Sequence, residues 1–90
     1  MKQTCFRVNH TYNQLIIPFR RALGKQLLQL REDNDITAYQ VAKRLDCGIS
    51  CEDIHDYEMG RYNVISFETL VVLADFYRKK VRVVFEDIQK

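Results

Sequence analysis

The 90 residues make one domain with a modest core, and a content of 47% apolar and 29% charged residues excludes a disordered chain. No apolar run reaches bilayer-spanning length, Met1-Lys2-Gln3-Thr4 opens no signal-peptide pattern, and three cysteines argue against a disulfide framework, so an intracellular, cytoplasmic protein without a membrane span is expected. A net charge of +2 hides an asymmetry that excludes a uniformly basic nucleic-acid footprint: residues 1–31 carry six bases and no acid, residues 32–58 eight acids against Lys43 and Arg44, and residues 59–90 six bases and four acids.

Cys5-Phe6-Arg7-Val8 is a weak strand candidate. Helix 1 shows in Ile16, Phe19, Leu23, Leu27 and Leu30, whose spacing makes one apolar stripe. Pro18 suits a first-turn position, which predicts a helix over about 17–33. A rival start is the capping box Thr11-x-x-Gln14, with Pro18 then kinking the helix.

The next three helix starts share one pattern. They read Ile36-Thr37-Ala38-Tyr39-Gln40-Val41, Ile49-Ser50-Cys51-Glu52-Asp53-Ile54 and Ile65-Ser66-Phe67-Glu68-Thr69-Leu70. In each, a hydroxyl can accept a hydrogen bond from an orphaned N–H of the first turn. Thr37 with Gln40 forms a capping box, and the pairs Ile36/Val41, Ile49/Ile54 and Ile65/Leu70 are hydrophobic staples. Helix 2 is therefore expected over 38–45, with Val41, Ala42 and Leu45 inward. Asp46-Cys47-Gly48 is the turn. Helix 3 follows over 51–58, with Ile54 and Tyr57 inward and Gly60 as a left-handed cap. Helix 4 covers 67–78, with Leu70, Val71, Leu73, Ala74 and Tyr77 available to the core. Val81-Arg82-Val83-Val84-Phe85 is β-branched and roughly alternating, so a strand is expected over 81–86. A lone strand needs a partner, from the Phe6–Val8 segment or from a second copy.

Two short capped helices joined this tightly form a helix-turn-helix, whose commonest use is placing its second helix against DNA. The residues Leu23-Gly24-Lys25-Gln26-Leu27, Leu30-Arg31-Glu32, Ile36-Thr37, Val41-Ala42, Leu45, Gly48-Ile49-Ser50, Ile54, Tyr57-Glu58-Met59-Gly60 and Phe67-Glu68-Thr69-Leu70 with Leu73-Ala74 resemble the phage repressor/Cro (Xre-type) helix-turn-helix family over roughly residues 19–77. The C-terminal strand is similar to that of antitoxin-type members, which dimerise through it. The resemblance implies a mainly α fold: a repressor-like helix-turn-helix of four to five helices with a short C-terminal β-strand. It implies a single domain, 1–90, with its core at 17–78.

The chain departs from the family pattern. Asp46 and Cys47 are two extra residues in the turn, and the 61–66 loop carries one more. Where the family often has a phosphate-touching Gln after the helix 2 cap, Ala38 stands. The family's base-reading positions fall on Cys51, Glu52, Asp53, His55 and Asp56. Carboxylates are repelled by phosphates, although one can accept a hydrogen bond from the amino group of cytosine. Glu52 and Asp53 thus have three readings: first-turn acids that favour the helix dipole, with Asp53 closing a capping box; base readers; or an acidic protein-binding surface.

Arg61, Tyr62 and Asn63 follow helix 3 where this architecture contacts phosphates; the plain reading is a solvated loop. Lys43 and Arg44 are the bases inside the motif and are equally at home as exposed helix residues. Cys47, Cys51 and His55 are spaced four and four, but Gly48 and Ser50 interrupt the helix and no fourth ligand accompanies them, so no metal and no cofactor is expected. His55 has no nucleophile or phosphate loop beside it, so no enzyme is expected.

The expectation is a sequence-specific DNA-binding transcriptional regulator, a repressor or autoregulating antitoxin, acting as a homodimer on double-stranded DNA, with a toxin as a further partner in the antitoxin case. The interface would draw on Gln40, Lys43, Ser50, Cys51, Glu52, His55, Arg61, Tyr62 and Asn63, and the dimer on Val81, Val83 and Phe85. The competing class is a non-enzymatic interaction module whose acidic 46–58 face binds a basic partner.

Overall fold

The computed structural model describes residues 10–61 and 65–88, with side chains from residue 13 onward. Four helices occur in chain order among these: α1 His10–Asp33, α2 Ala38–Leu45, α3 Cys51–Met59 and α4 Phe67–Phe76. The caps act where the hydroxyl pattern places them. Thr37 Oγ1 accepts from the Gln40 N–H at 3.1 Å, and Gln40 Oε1 accepts in return from the Thr37 N–H at 2.9 Å. Ser50 and Asp53 repeat the box at α3, with both bonds 2.9 Å. Ser66 Oγ accepts from the Thr69 N–H at 3.0 Å. At the other ends, Asp46 and Gly60 take left-handed conformations with φ of 48° and 73° and close α2 and α3.

α3 is the hub, packed against both α1 and α2. The core joins Ala38 and Val41 of α2, Ile54 of α3, Leu73 of α4 and Tyr77 just beyond it, with Ile36, Leu45 and Ile49 partly buried around them. The staple residues thus serve twice, fixing a helix entry and filling the core. Gly24 explains how closely α1 approaches. A Cβ there would lie 2.5 Å from the Glu58 carbonyl oxygen and 2.6 Å from that of Tyr57, so only glycine admits the backbone of α3.

Several expectations are corrected. Helix α1 begins at His10, next to the alternative start at Thr11 rather than near residue 17, and Pro18 lies inside it. At a rise of 1.5 Å per residue its 24 residues run about 36 Å, well past the short helices it packs against. Phe19, placed on the inward stripe by its spacing, is therefore 65% exposed. Helix α4 ends at Phe76, with Tyr77 as its cap and Arg78 at φ 62°, and Val71 faces outward.

The expected C-terminal strand is absent: residues 79–88 form no regular structure, and no strand occurs among the described residues. The physical reason is that a strand exists by pairing, and no described segment offers an edge to it. Val81 is half-buried, while Val83 and Phe85 stand 61% and 95% exposed. The weaker strand candidate, Cys5–Val8, lies outside the described residues.

Candidate nucleic-acid interface

α2 and α3 are joined by residues 46–50, with Gly48 at φ 90° turning the chain. Ile54 and Glu58 face inward from α3, which leaves Glu52, His55 and Met59 on one exposed stripe. The acids of this helix do not form a free negative face. Asp53 is held in its capping box. Asp56 Oδ1 lies 3.4 Å from Arg61 Nη2. Glu58 is buried and meets Arg31 of α1 through two hydrogen bonds, 2.6 Å from Nε and 3.0 Å from Nη2. The third arm of that guanidinium, Nη1, donates to the Ile36 carbonyl at 3.0 Å and ties the α1–α2 connection to the pair. Glu52 alone among the four is exposed with no hydrogen bond or ion pair to the described residues.

Proton affinities follow this arrangement. The hydrogen bonds that Arg31 donates to Glu58 raise it above its ordinary value, against the opposing effect of burial. Burial, seconded by Asp53 and Asp56, raises the Tyr57 phenol. Burial and then the Glu58 carboxylate push Tyr77 up to about 12, with Arg31 acting the other way. Every one of these groups gathers around the α1–α3 contact.

The expected interface residues fall into four groups. Gln40 and Ser50 are exposed but already serve caps: the Gln40 amide oxygen and the Ser50 hydroxyl oxygen are engaged, leaving an NH2 and an O–H able to donate outward. Lys43, Glu52, His55 and Arg61 are exposed. The Lys43 ammonium sits 5.8 Å from the centre of the Tyr39 ring, a cation–π contact that holds a positive charge on the outer face of α2. His55 Nδ1 approaches Glu58 Oε1 at 4.0 Å, so the buried pair also reaches the outer stripe. Cys51 belongs with the core: it is half-buried and packs against the buried cluster. Tyr62 and Asn63 lie outside the described residues.

The Arg31–Glu58 pair escaped the sequence reading, yet a signal was present. Arg31 lies four residues after Leu27, and Glu58 four after Ile54, so each charge falls on an inward stripe of its helix. Opposite charges on two inward stripes imply a buried pair, because either alone would be desolvated without compensation. Among the described residues no group of three or more His, Cys, Asp or Glu side chains could hold a metal ion. No described helix is long and apolar enough to cross a membrane.

Four helices, two of them capped and set across a tight turn with an outward stripe on the second, define a helix-turn-helix domain. The chain belongs to that family: the family model for a helix-turn-helix domain matches residues 22–80. Searches of curated proteins and of solved structures return no match.

Proposed function

We propose that the chain is a sequence-specific DNA-binding transcriptional regulator of the phage repressor/Cro (Xre) kind. It is non-enzymatic, cytoplasmic and homodimeric, and represses as a simple repressor or as an antitoxin that also holds a toxin partner. The observation that carries this reading is the engagement of the α3 acids within the chain. A helix with free carboxylates at 52, 53, 56 and 58 would be repelled by phosphates. With Asp53 in a cap, Glu58 in a buried pair and Asp56 beside Arg61, only Glu52 presents an unengaged charge. One carboxylate is compatible with base reading, as an acceptor for the amino group of cytosine.

In this reading α3 lies at the major groove. Glu52 and His55 face base edges, and Cys51 contributes packing rather than direct contact. The Gln40 NH2, the Ser50 O–H, Lys43 and Arg61 meet phosphates, with Tyr62 and Asn63 continuing that loop. Arg61 keeps Asp56 on Nη2 and has further N–H donors to offer a phosphate, so the carboxylate stays engaged when DNA binds. Val81, Val83 and Phe85 supply the dimer contact: two tails pairing antiparallel across a twofold would satisfy their backbone groups and space two α3 helices about 34 Å apart.

The test is a gel shift with the DNA upstream of the gene at two salt concentrations. A shift that weakens steeply with salt is expected. Arg61→Ala should weaken binding to all sequences alike and reduce the salt slope by about 1. No shift at low salt would overturn the proposal and favour an acidic surface for a basic protein.

A further inference from the structure

Both ends of the chain carry apolar surface that the helix-turn-helix leaves open. At one end, Leu15, Ile16, Ile17 and Phe19 fall, at about 100° per residue, over a little more than half of the circumference of α1, with Gln14, Pro18 and Arg21 on the rest. An apolar arc this wide on a helix asks for a covering surface. Yet Leu15 is 68% exposed and Phe19 65%. At the other end, Val83, Val84, Phe85 and Ile88 stand between 61% and 95% exposed. Both stretches fall outside residues 22–80, the part matched by the family model.

Charge decides what can cover the α1 surface. Residues 1–31 contain no acid, and Arg21 and Lys25 are exposed beside the apolar stretch. A second α1 would bring like charges together, and so would residues 1–9, whose charged side chains are Lys2 and Arg7. The segment 83–88 reads Val-Val-Phe-Glu-Asp-Ile, apolar and acidic, with Glu86 and Asp87 exposed. Its length also fits. Six extended residues span about 20 Å, against about 15 Å for residues 15–25 of a helix.

We infer that residues 83–88 of one protomer cover the 15–25 stretch of α1 on a second copy of this chain, reciprocally across a twofold axis, with Glu86 and Asp87 against Arg21 and Lys25. Within one chain the two surfaces stay apart, since both remain exposed. A two-stranded ribbon of tails is marginal without a layer to pack on. The α1 stretch of the opposite copy supplies that layer. The inference rests on the homodimer proposed above and is independent of whether DNA is the ligand.

The experiment is sedimentation at micromolar concentration with two charge-reversed full-length chains, Arg21→Glu/Lys25→Glu and Glu86→Lys/Asp87→Lys. Each alone should dimerise on the order of 10–100-fold more weakly than the parent, because like charges face each other. Mixed one to one they should recover the dimer, since both reciprocal contacts are again of opposite sign. Circular dichroism confirms that each variant keeps its helices. Lys25→Glu alone repeats the α1 arm if Arg21, which lies beside Gly60, disturbs folding. A mixture that stays monomeric beside a dimeric parent overturns this inference alone, as do variants that dimerise like the parent. A monomeric parent overturns the proposed homodimer with it.

Discussion

The two halves of α1 carry a similar density of apolar residues and meet opposite fates. In the C-terminal half, Leu27 is buried, Gly24 lies against the backbone of α3, and Arg31 is held by Glu58. In the N-terminal half, Leu15, Ile17 and Phe19 remain open to solvent. The helix itself does not distinguish them: one continuous α-helix runs from His10 to Asp33. The difference lies in what stands opposite. α3 packs against the C-terminal half of α1, around Gly24 and Arg31, while Leu15, Ile17 and Phe19 lie beyond that contact and stay exposed. An apolar stripe states a demand for burial, and topology decides where the demand is met within one chain.

The closed half should respond most strongly to removal of Glu58. Its side chain is 3% exposed and that of Arg31 15%, so Glu58→Ala strands a nearly buried guanidinium. Breaking such a pair costs about 3–5 kcal/mol. Leu27→Ala, in the same contact, should cost about 2–5 kcal/mol. Urea unfolding measures both. The double variant Arg31→Met/Glu58→Leu should recover most of the loss, because it removes the stranded charge along with its partner. A Glu58→Ala loss below about 1 kcal/mol would detach the pair from the stability of the α1–α3 contact.

Next in size is an alkaline effect at the same contact. Tyr77 is pushed up to about 12, whereas an unperturbed tyrosine titrates near 10. Below about pH 10 the phenol keeps its proton in both states, and its contribution is fully present. Between that pH and the folded-state value the unfolded chain releases the proton first, so stability falls by about 1.4 kcal/mol per pH unit. Tyr57 is raised in the same direction, so Tyr77→Phe should reduce the alkaline slope without abolishing it. Thermal melts at several pH values between about 9 and 12 would show this. A slope unchanged by Tyr77→Phe would mean that the phenol is not held protonated by its burial.

The local elements were legible in the sequence because their causes are local. Thr37, Ser50 and Ser66 cap α2, α3 and α4 with bonds that span three residues. Gly60 closes α3 as a glycine after a helix does. Non-local features were less legible. For the start of α1 the sequence offers two places, near residue 17 from Pro18 and at Thr11 from its capping box, and the helix begins at His10 with Pro18 inside, next to the second. β-branched and roughly alternating residues predict a strand over 81–86, but pairing is not a property of one segment. At the candidate interface the identities of the exposed residues could be read, but the internal use of Asp53, Asp56 and Glu58 depends on partners. Asp56 meets Arg61 five residues away, and Glu58 meets Arg31 across 27.

A smaller effect belongs to the caps, which neither half of α1 controls. Thr37→Ala removes the acceptor for the Gln40 N–H and should cost about 1 kcal/mol. The same substitution should leave the Arg31–Glu58 contact intact, so its effect should add to that of Leu27→Ala within about 0.5 kcal/mol. A large departure in the double variant, read by urea unfolding, would couple the α2 cap to the α1–α3 contact through the Arg31–Ile36 hydrogen bond.

The smallest effect is expected at Leu15, and it sharpens the comparison most. Leu15→Ala and Leu27→Ala are the same chemical change on the same helix, twelve residues apart. Leu15 is 68% exposed and Leu27 5%. Alanine is the better helix former by a small margin, so the helix itself loses nothing at position 15. With almost no apolar area returned to water, Leu15→Ala should change monomer stability by less than about 0.5 kcal/mol. The measurement is made at a concentration where the parent chain sediments as a monomer, so that a partner cannot add burial of its own. A monomer loss at Leu15 comparable to that at Leu27 would mean that the N-terminal half of α1 is covered from within its own chain. The contrast between the two halves would then collapse.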